Sequence, residues 1–490
     1  MARSTVEQTP GAPVVVWFRQ DLRLTDNPAL AAAIATGRPV LPVFVLDDET
    51  PGAWKLGGAA RWWLHHSLQS LDEGLRSLGG ALTLRVGRAE TVIPGLLRET
   101  KATGVYWNRR YEPFAVEGDT RLKASLKDEG LTVETFNAAL LHEPWSLKTG
   151  AGGAFKVFSP FWRAALAAPP PPAPLKPPDH ARFAAANGAS LADLDLLPRK
   201  PDWAAGLRET WRPGEPGAQA RLKTFLKSTL KGYGAHRNRA DLVSTSRLSP
   251  HLRWGEIGPR QIWRAVEAHA AAHPDYRADA DKFLSEIGWR EFSYHLLFHS
   301  PTLPEVNWKQ AFDAFPWSDN AEHINSWQRG RTGYPVVDAG MRELWSTGFM
   351  HNRVRMIAAS FLIKDLMVHW RVGEDWFWDT LVDADLANNA ASWQWVAGSG
   401  ADAAPYFRVF NPVTQGEKFD PDGAYVRQWV PELARLPADH IHAPWRAPPA
   451  ALSAAGVVLG ETYPLPIVDH AEARTRALAA YKGITGHRDA

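Results

Sequence analysis

Asp383-Ala-Asp-Leu-Ala-Asn-Asn-Ala-Ala-Ser-Trp-Gln-Trp395 puts two carboxylates, two asparagine amides and two indoles into thirteen residues. Read as a helix beginning near Asp385, the spacing brings Asp385, Asn389 and Trp393 onto one stripe, four residues apart. That stripe offers an acceptor, an amide that can donate or accept, and a flat aromatic. A large polar heterocycle held at its edge and stacked near its face would use such a set. Taken alone, the segment is equally a capped helix, with Asp385 as N-cap and the tryptophans as core.

Three further clusters carry chemistry. Thr245-Ser246-Arg247-Leu248-Ser249-Pro250 gathers hydroxyls around an arginine, and Ser249 before Pro250 reads as an N-cap with a first-turn proline. Free N–H groups at a helix start with hydroxyls beside them suit a pyrophosphate, although simple capping explains them too. Tyr233, twelve residues before Thr245, could close over the same ligand. On a helix, Glu286, Trp289 and Arg290 share one face, joining an acid, a stacking platform and a cation suited to reading an extruded base. The plainer alternative is a surface ion pair between Glu286 and Arg290, which stabilises little. In Met350-His-Asn-Arg-Val-Arg-Met356, Asn352, Arg355 and Met356 fall on one face and Arg353 turns aside. One arginine could then meet a buried carboxylate and the other a nucleic-acid phosphate, if the segment is not merely a solvated basic face. Trp317, Trp370 and Trp393 form a fourth set, for which core packing is the default.

The elements that must position these residues divide in two. Val14–Phe18, Val40–Leu46, 81–86, 105–108 and 131–136 read as buried strands, with helices at Pro28–Ala35, 59–78 and 91–100 between them. This βαβα order predicts a doubly wound parallel sheet of about five strands, an α/β domain over residues 13–140. No Gly-x-Gly-x-x-Gly follows the first strand and no Walker-type loop occurs, so a nicotinamide-type site is unsupported. Arg19-Gln-Asp-Leu-Arg23 and Asp26-Asn27 stand where open sheets bind ligands, but read better as a solvated loop with a helix cap. Residues 141–214 read as a Pro-rich interdomain linker, with 167–180 unable to form helix or sheet. From 215 to 482 the pattern is helical, giving a larger all-α domain, and residues 1–12 and 483–490 read as tails.

Composition narrows the chemistry. Of 490 residues none is cysteine, which excludes disulfides, thiolate metal sites and cysteine nucleophiles. No metal site is expected. The net charge of +2 allows a nucleic-acid partner only through a local basic patch. No apolar run is long enough to span a membrane. The N-terminus lacks an apolar signal core, so a cytoplasmic protein is expected. Of 23 tryptophans, 16 lie after residue 200, more than packing alone requires.

Together and in this order, these clusters resemble the DNA photolyase/cryptochrome family. The resemblance runs from Trp17-Phe-Arg-Gln-Asp-Leu-Arg23 to Tyr463-Pro-Leu-Pro-Ile-Val468. It is strongest in Arg331-Thr-Gly-Tyr-Pro-Val-Val-Asp-Ala-Gly-Met341 and Gly398-Ser-Gly-Ala-Asp-Ala-Ala-Pro-Tyr-Phe-Arg-Val-Phe-Asn-Pro412. The resemblance implies a non-covalent FAD in the helical domain. Tyr233, Thr245, Ser246, Arg247, Leu248 and Ser249 would hold its phosphates and ribityl chain. Arg290, Asn352, Arg355, Asp383, Asp385 and Asn389 would surround its rings, with Arg355 paired to Asp383 and Asn389 at the N5 edge. Glu286, Trp289, Asn352, Met356 and Trp395 would take the lesion, while Arg237 and Arg353 meet the DNA. Light-excited reduced flavin would pass an electron to a cyclobutane pyrimidine dimer. Trp393, Trp370 and Trp317 would form the photoreduction chain, from the cofactor outward.

Within the family, Asn389 matches photolyases, whereas plant cryptochromes typically carry Asp there. Asn352 and Met356 stand where repairers of the (6-4) photoproduct carry histidines, and neither can donate a proton. The chain also lacks a long polar tail. These features imply an enzyme for cyclobutane dimers; a bacterial, nucleoid-associated monomer is expected. The alternative is an FAD photoreceptor of cryptochrome type that repairs nothing. Tyr111-Glu112 is followed by Pro113-Phe-Ala115 instead of the Asn-Glu pair of folate-binding members, so a second, antenna chromophore (folate or deazaflavin) is left unassigned.

Overall fold

Runs of Val, Leu and aromatic residues form five parallel strands, β1 (Val14–Phe18), β2 (Val40–Leu46), β3 (Thr83–Val86), β4 (Gly104–Asn108) and β5 (Thr132–Phe136). The computed structural model describes residues 11–403 and 407–485. The strand order is β3-β2-β1-β4-β5, with Val15 of β1 facing Leu41 on one side and Val105 on the other. β1 and β2 are buried along their whole length, as expected of strands covered on both faces. Helices α1 (Pro28–Ala35), α2 (Gly58–Ser77), α3 (Ala89–Thr100) and α4 (Pro113–Asp128) connect them. α1 and α2 pack on the face of Val14, Val16 and Phe18, while α3 and α4 pack on the face of Val15 and Trp17. The bounds of β1, β2 and α1 coincide with the sequence reading. α4 does not appear in that reading; Pro113 occupies its first helical turn, where its missing N–H costs nothing.

The expectation of a solvated loop after β1 is overturned. Arg19, Asp21, Arg23, Asp26 and Asn27 are all buried. Asn108 Nδ2 donates to Asp21 Oδ2 at 2.6 Å and to Asn27 Oδ1 at 2.8 Å. Arg23 donates to the carbonyls of Gly255 (2.8 Å), Asp26 (2.7 Å) and Ala138 (3.0 Å). The segment is polar because it forms the joint with the helical half, where each charge finds a partner. Asn27 does cap α1, accepting from Leu30 N at 3.1 Å.

The stretch read as linker carries α5 (Phe158–Ala167) and α6 (Ala205–Thr210). Between them the chain lies along the sheet, bridging Phe183 to Val40 and Ala189 to Leu84. The helical half comprises α7 (Glu215–Ser228), α8 (Tyr233–His236), α9 (Ser249–Arg253), α10 (Pro259–Ala272), α11 (Arg277–His299), α12 (Ala321–Gln328), α13 (Pro335–Thr347), α14 (Asn352–Ser360), α15 (Trp370–Thr380) and α16 (Leu386–Ala397). It ends in α17 (Pro412–Phe419), α18 (Ala424–Trp429), α19 (Ala438–Ile441), α20 (Pro449–Ala455) and α21 (His470–Thr485). α21 thus continues past residue 482, into the stretch expected as tail. Residues 1–10 and 486–490 of the expected tails lie outside the described residues, as do 404–406 within the Gly398–412 motif. Trp327, Trp370 and Phe361 are fully buried at the centre of this half. No helix among the described residues is long and apolar enough to cross a membrane. Nor do they contain a group of three His, Cys, Asp or Glu side chains that could hold a metal.

Candidate functional site

α8, α9, α11, α14, α15 and α16 wall a cavity of about 690 Å³. Asp385 caps α16, its Oδ1 accepting from Asn388 N at 2.9 Å and from Asn388 Nδ2 at 2.7 Å. Its Oδ2 accepts from the Tyr294 hydroxyl. Asp385, Asn389, Trp393 and Trp395 all line the cavity. The cap and the cavity wall are therefore the same residues. Asn389 Nδ2 donates to Glu374 O on α15 at 3.0 Å, which ties the stripe to its neighbour.

α14 begins at His351, whose Nδ1 accepts from Arg353 N at 3.2 Å. Asn352, Arg353, Arg355 and Met356 all reach the cavity. The two arginines diverge as the spacing requires. Arg355 donates to Asp383 Oδ2 at 2.9 Å and to Met350 O at 2.7 Å. Arg353 donates to Asn238 Oδ1 at 3.0 Å and lies over the Phe419 ring. Asp383 is buried, and its Oδ1 has no hydrogen-bond partner.

Glu286, Trp289 and Arg290 line the cavity from α11. The Glu286–Arg290 pair does not form. Glu286 is held instead by both terminal nitrogens of Arg237, one at 2.8 Å, and by Lys282 at 3.2 Å. A planar fork from α8's end outcompetes a neighbour on the same helix because it meets both oxygens at once. Arg290 instead donates to Ala139 O at 2.7 Å and covers the Tyr294 ring. Tyr233 lines the cavity beside Arg237, and burial pushes its phenol pKa up.

In the 245–249 segment, Ser246, Leu248 and Ser249 face the cavity, whereas Thr245 and Arg247 are not among its lining. Arg247 adopts a left-handed backbone (φ 51°) and aims its guanidinium at Phe349, Trp211 and Glu343. The N-cap position belongs to Leu248 and Ser249 is the first helical residue, so the helix starts one place earlier than the sequence implied. A five-residue helix offers too little periodicity to fix its start.

Trp393 packs edge-on against Phe377 and Trp327. Gly373, one turn along α15 from Trp370, receives the Trp393 ring; a Cβ there would lie 2.1 Å from Cη2. Trp370 is fully buried and donates to Asn307 Oδ1 at 2.8 Å. His369 stands between Trp370 and Trp317, with ring centroids 5.5 and 4.8 Å away. Trp370 and Trp317 lie off the cavity wall. The wall also includes residues that the sequence reading did not single out. Arg253 is one, with Nη1 buried and unpartnered; others are Lys282, Asn238 and Asp402. Arg253, four residues after Ser249, could have been found by helical spacing. Asp402 lies in a loop without period and could not.

The cavity suits a dinucleotide-sized cofactor. Its volume falls within the range of such sites, and its walls mix apolar rings with a few convergent polar groups. The buried Asp383 oxygen without a donor and the Arg253 nitrogen without an acceptor both fit a ligand carrying each kind of group. Residues 14–179 match the DNA photolyase domain, and residues 283–483 match the FAD binding domain of DNA photolyase. The chain is 54% identical to a deoxyribodipyrimidine photo-lyase of Agrobacterium fabrum, over 96% of its own length and 98% of that protein's. It belongs to the DNA photolyase/cryptochrome family. A solved class III photolyase from Agrobacterium tumefaciens superposes with a TM-score of 0.94 at 52% identity, covering 99% of this chain and 100% of that one. Cryptochrome-1 of Arabidopsis thaliana is 42% identical over 95% of the chain and 70% of its own length. The chain thus carries the photolyase/cryptochrome pair of domains, an α/β half and a helical FAD-binding half.

Proposed function

We propose that this protein repairs DNA in light, splitting cyclobutane pyrimidine dimers with FAD as cofactor. The observation that carries the reading is one cavity shared by two kinds of residue. Asp383, Asp385 and Asn389 lie buried within it, while Glu286, Trp289, Asn352, Met356 and Trp395 stand at its more open side. When bound and fully reduced, FAD supplies a light-driven electron to the dimer and takes it back after the ring opens.

The chain's own residues bind, orient and insulate. The Arg355–Asp383 pair would supply fixed charge to the flavin rings, and Asn389 would help to hold them. Tyr233, Ser246, Leu248 and Ser249 would hold the phosphates and ribityl chain. Thr245 and Arg247, which stand off the cavity wall, are assigned no direct contact with the cofactor. Arg290 lines the wall and is fixed there by Ala139 O and the Tyr294 ring. Trp289 and Trp395 stack on the flipped dimer, and Glu286 and Asn352 bond its base edges. A dimer pairs poorly, so flipping it costs less than flipping a normal base. Arg237 and Arg353 neutralise the phosphates beside it. Trp393, Trp370 and Trp317 lead electrons inward when the cofactor is oxidised.

The likeness to Cryptochrome-1 favours a second reading, a blue-light receptor with the same cofactor and no repair. One experiment separates them. Photoreduced protein is mixed with an oligonucleotide bearing one thymine dimer and illuminated with blue light, and restored thymines are counted. Restoration is expected. Its absence, with reduced FAD bound, would overturn the repair reading and leave the receptor.

A further inference from the structure

The lesion-stacking indole of the proposed site has a backing built from the chain segment between the two domains. Phe158, the first residue of α5, lies flat against Trp289, with ring centroids 3.8 Å apart and planes 10° from parallel. Trp162, one turn on, lies nearly parallel to Phe158, with ring centroids 6.2 Å apart and planes 12° from parallel. Trp289 lines the cavity and Phe158 does not. Phe158 therefore covers one face of the indole, and the cavity meets Trp289 away from that face.

Each layer is fixed independently. The Phe158 backbone N–H donates to Asp402 Oδ2 at 3.0 Å, which pins the start of α5 to the cavity-lining loop. Trp162 rests directly on the α11 backbone at Gly288, where a Cβ would lie 2.5 Å from Cε3 of the indole. Any larger residue at 288 would push the stack off the helix that carries Trp289. Phe292 meets Trp289 edge-on at 6.0 Å and 76°, closing a third side. Aromatic pairs more often meet edge-on or offset, at 4.5–7 Å. A closer, nearly parallel contact is kept only where the surroundings impose it, and here a hydrogen bond and a glycine do so.

We propose that Phe158, supported by Trp162, is a positioning residue for dimer recognition. It holds the Trp289 plane so that the free face is already set to receive a flipped pyrimidine pair. An unbacked indole would have to be ordered at the moment of binding, which weakens affinity without touching the chemistry that follows. This inference rests on the repair reading above.

The test compares Phe158→Leu, which keeps apolar volume and removes the flat face, with Phe158→Tyr, which keeps both. Binding is measured to two single-stranded oligonucleotides, one with a thymine dimer and one undamaged. FAD content and repair at saturating dimer are read alongside. Phe158→Leu is expected to weaken binding of the dimer oligonucleotide about threefold to tenfold, the range for loss of one aromatic pair. Affinity for undamaged strand, FAD content and saturated repair should stay unchanged, and Phe158→Tyr should match the original protein. Undiminished dimer preference in Phe158→Leu would overturn the inference alone. Equal weakening for both oligonucleotides, loss of FAD, or failure of Phe158→Tyr to rescue would also overturn it, marking α5 as structural. No dimer preference in the unaltered protein would overturn the repair reading as well.

Discussion

His351 begins the arginine-bearing helix α14, with its Nδ1 accepting the Arg353 N–H and its Nε2 buried without a partner. Burial, then the charges of Arg353, Arg355 and Arg237, push its pKa from the ordinary 6.5 down to about 4. Between those two pH values the unfolded chain binds a proton that the folded one does not. Stability is therefore complete above pH 6.5 and is lost as pH falls toward 4, by on the order of 3 kcal/mol. Urea unfolding across that window should show this slope, and His351→Asn, which keeps a capping acceptor, should flatten it. Identical slopes in both proteins would place the origin elsewhere. Some side-chain partnerships at the site were legible in sequence and some were not. The Arg355–Asp383 pair is implied by family resemblance and forms at 2.9 Å. The plainer alternative for Glu286, a pair with Arg290, does not form, because helical spacing sees Arg290 four residues on but not Arg237, which is 49 residues earlier and arrives only through the fold.

α15 and α16 set the proposed electron relay by how closely they pack, and the spacer is Gly373. Gly373→Ala would drive a methyl into the Trp393 ring. A loss of about 1–3 kcal/mol in stability is expected from such overpacking. Flavin photoreduction, followed by bleaching of its visible absorbance, should slow in the same variant. Trp393→Phe should slow photoreduction further while sparing repair by chemically reduced protein; equal loss of both would contradict the relay. Long elements were easy to read from sequence. β1, β2 and α1 stand at the residues their apolar runs mark, since buried strands and a capped helix announce themselves locally. α8 and α9, at four and five residues, carry no period to read, and both contribute to the cavity wall. α5 was hidden inside a segment judged by its prolines, so the layer behind Trp289 went unseen.

The two halves of the molecule meet through Arg23, which is 1% exposed and satisfies carbonyls from both. Arg23→Ala would leave these acceptors and Asp26 short of a buried partner, at a cost of about 3 kcal/mol. Calorimetry should show a lower unfolding midpoint. Arg23→Lys should not restore it, because an ammonium lacks the guanidinium fork. The division into an α/β half and a helical half was legible from the change of hydrophobic period, but the joint was not. Its residues read as solvated because sequence shows their polarity and not their cover. The segment between the halves was read by composition as lacking regular structure, and residues 168–180 carry none, yet its path along the sheet was invisible. That path matters for solubility. β3 stands at the margin of the sheet, and a bare margin offers unpaired N–H and C=O groups to any other chain. Ala189 N donates to Leu84 O at 2.9 Å, and Gly188 approaches so near that a Cβ would lie 2.8 Å from the same oxygen. By lying there, the crossing between domains also serves as a guard against edge-to-edge aggregation.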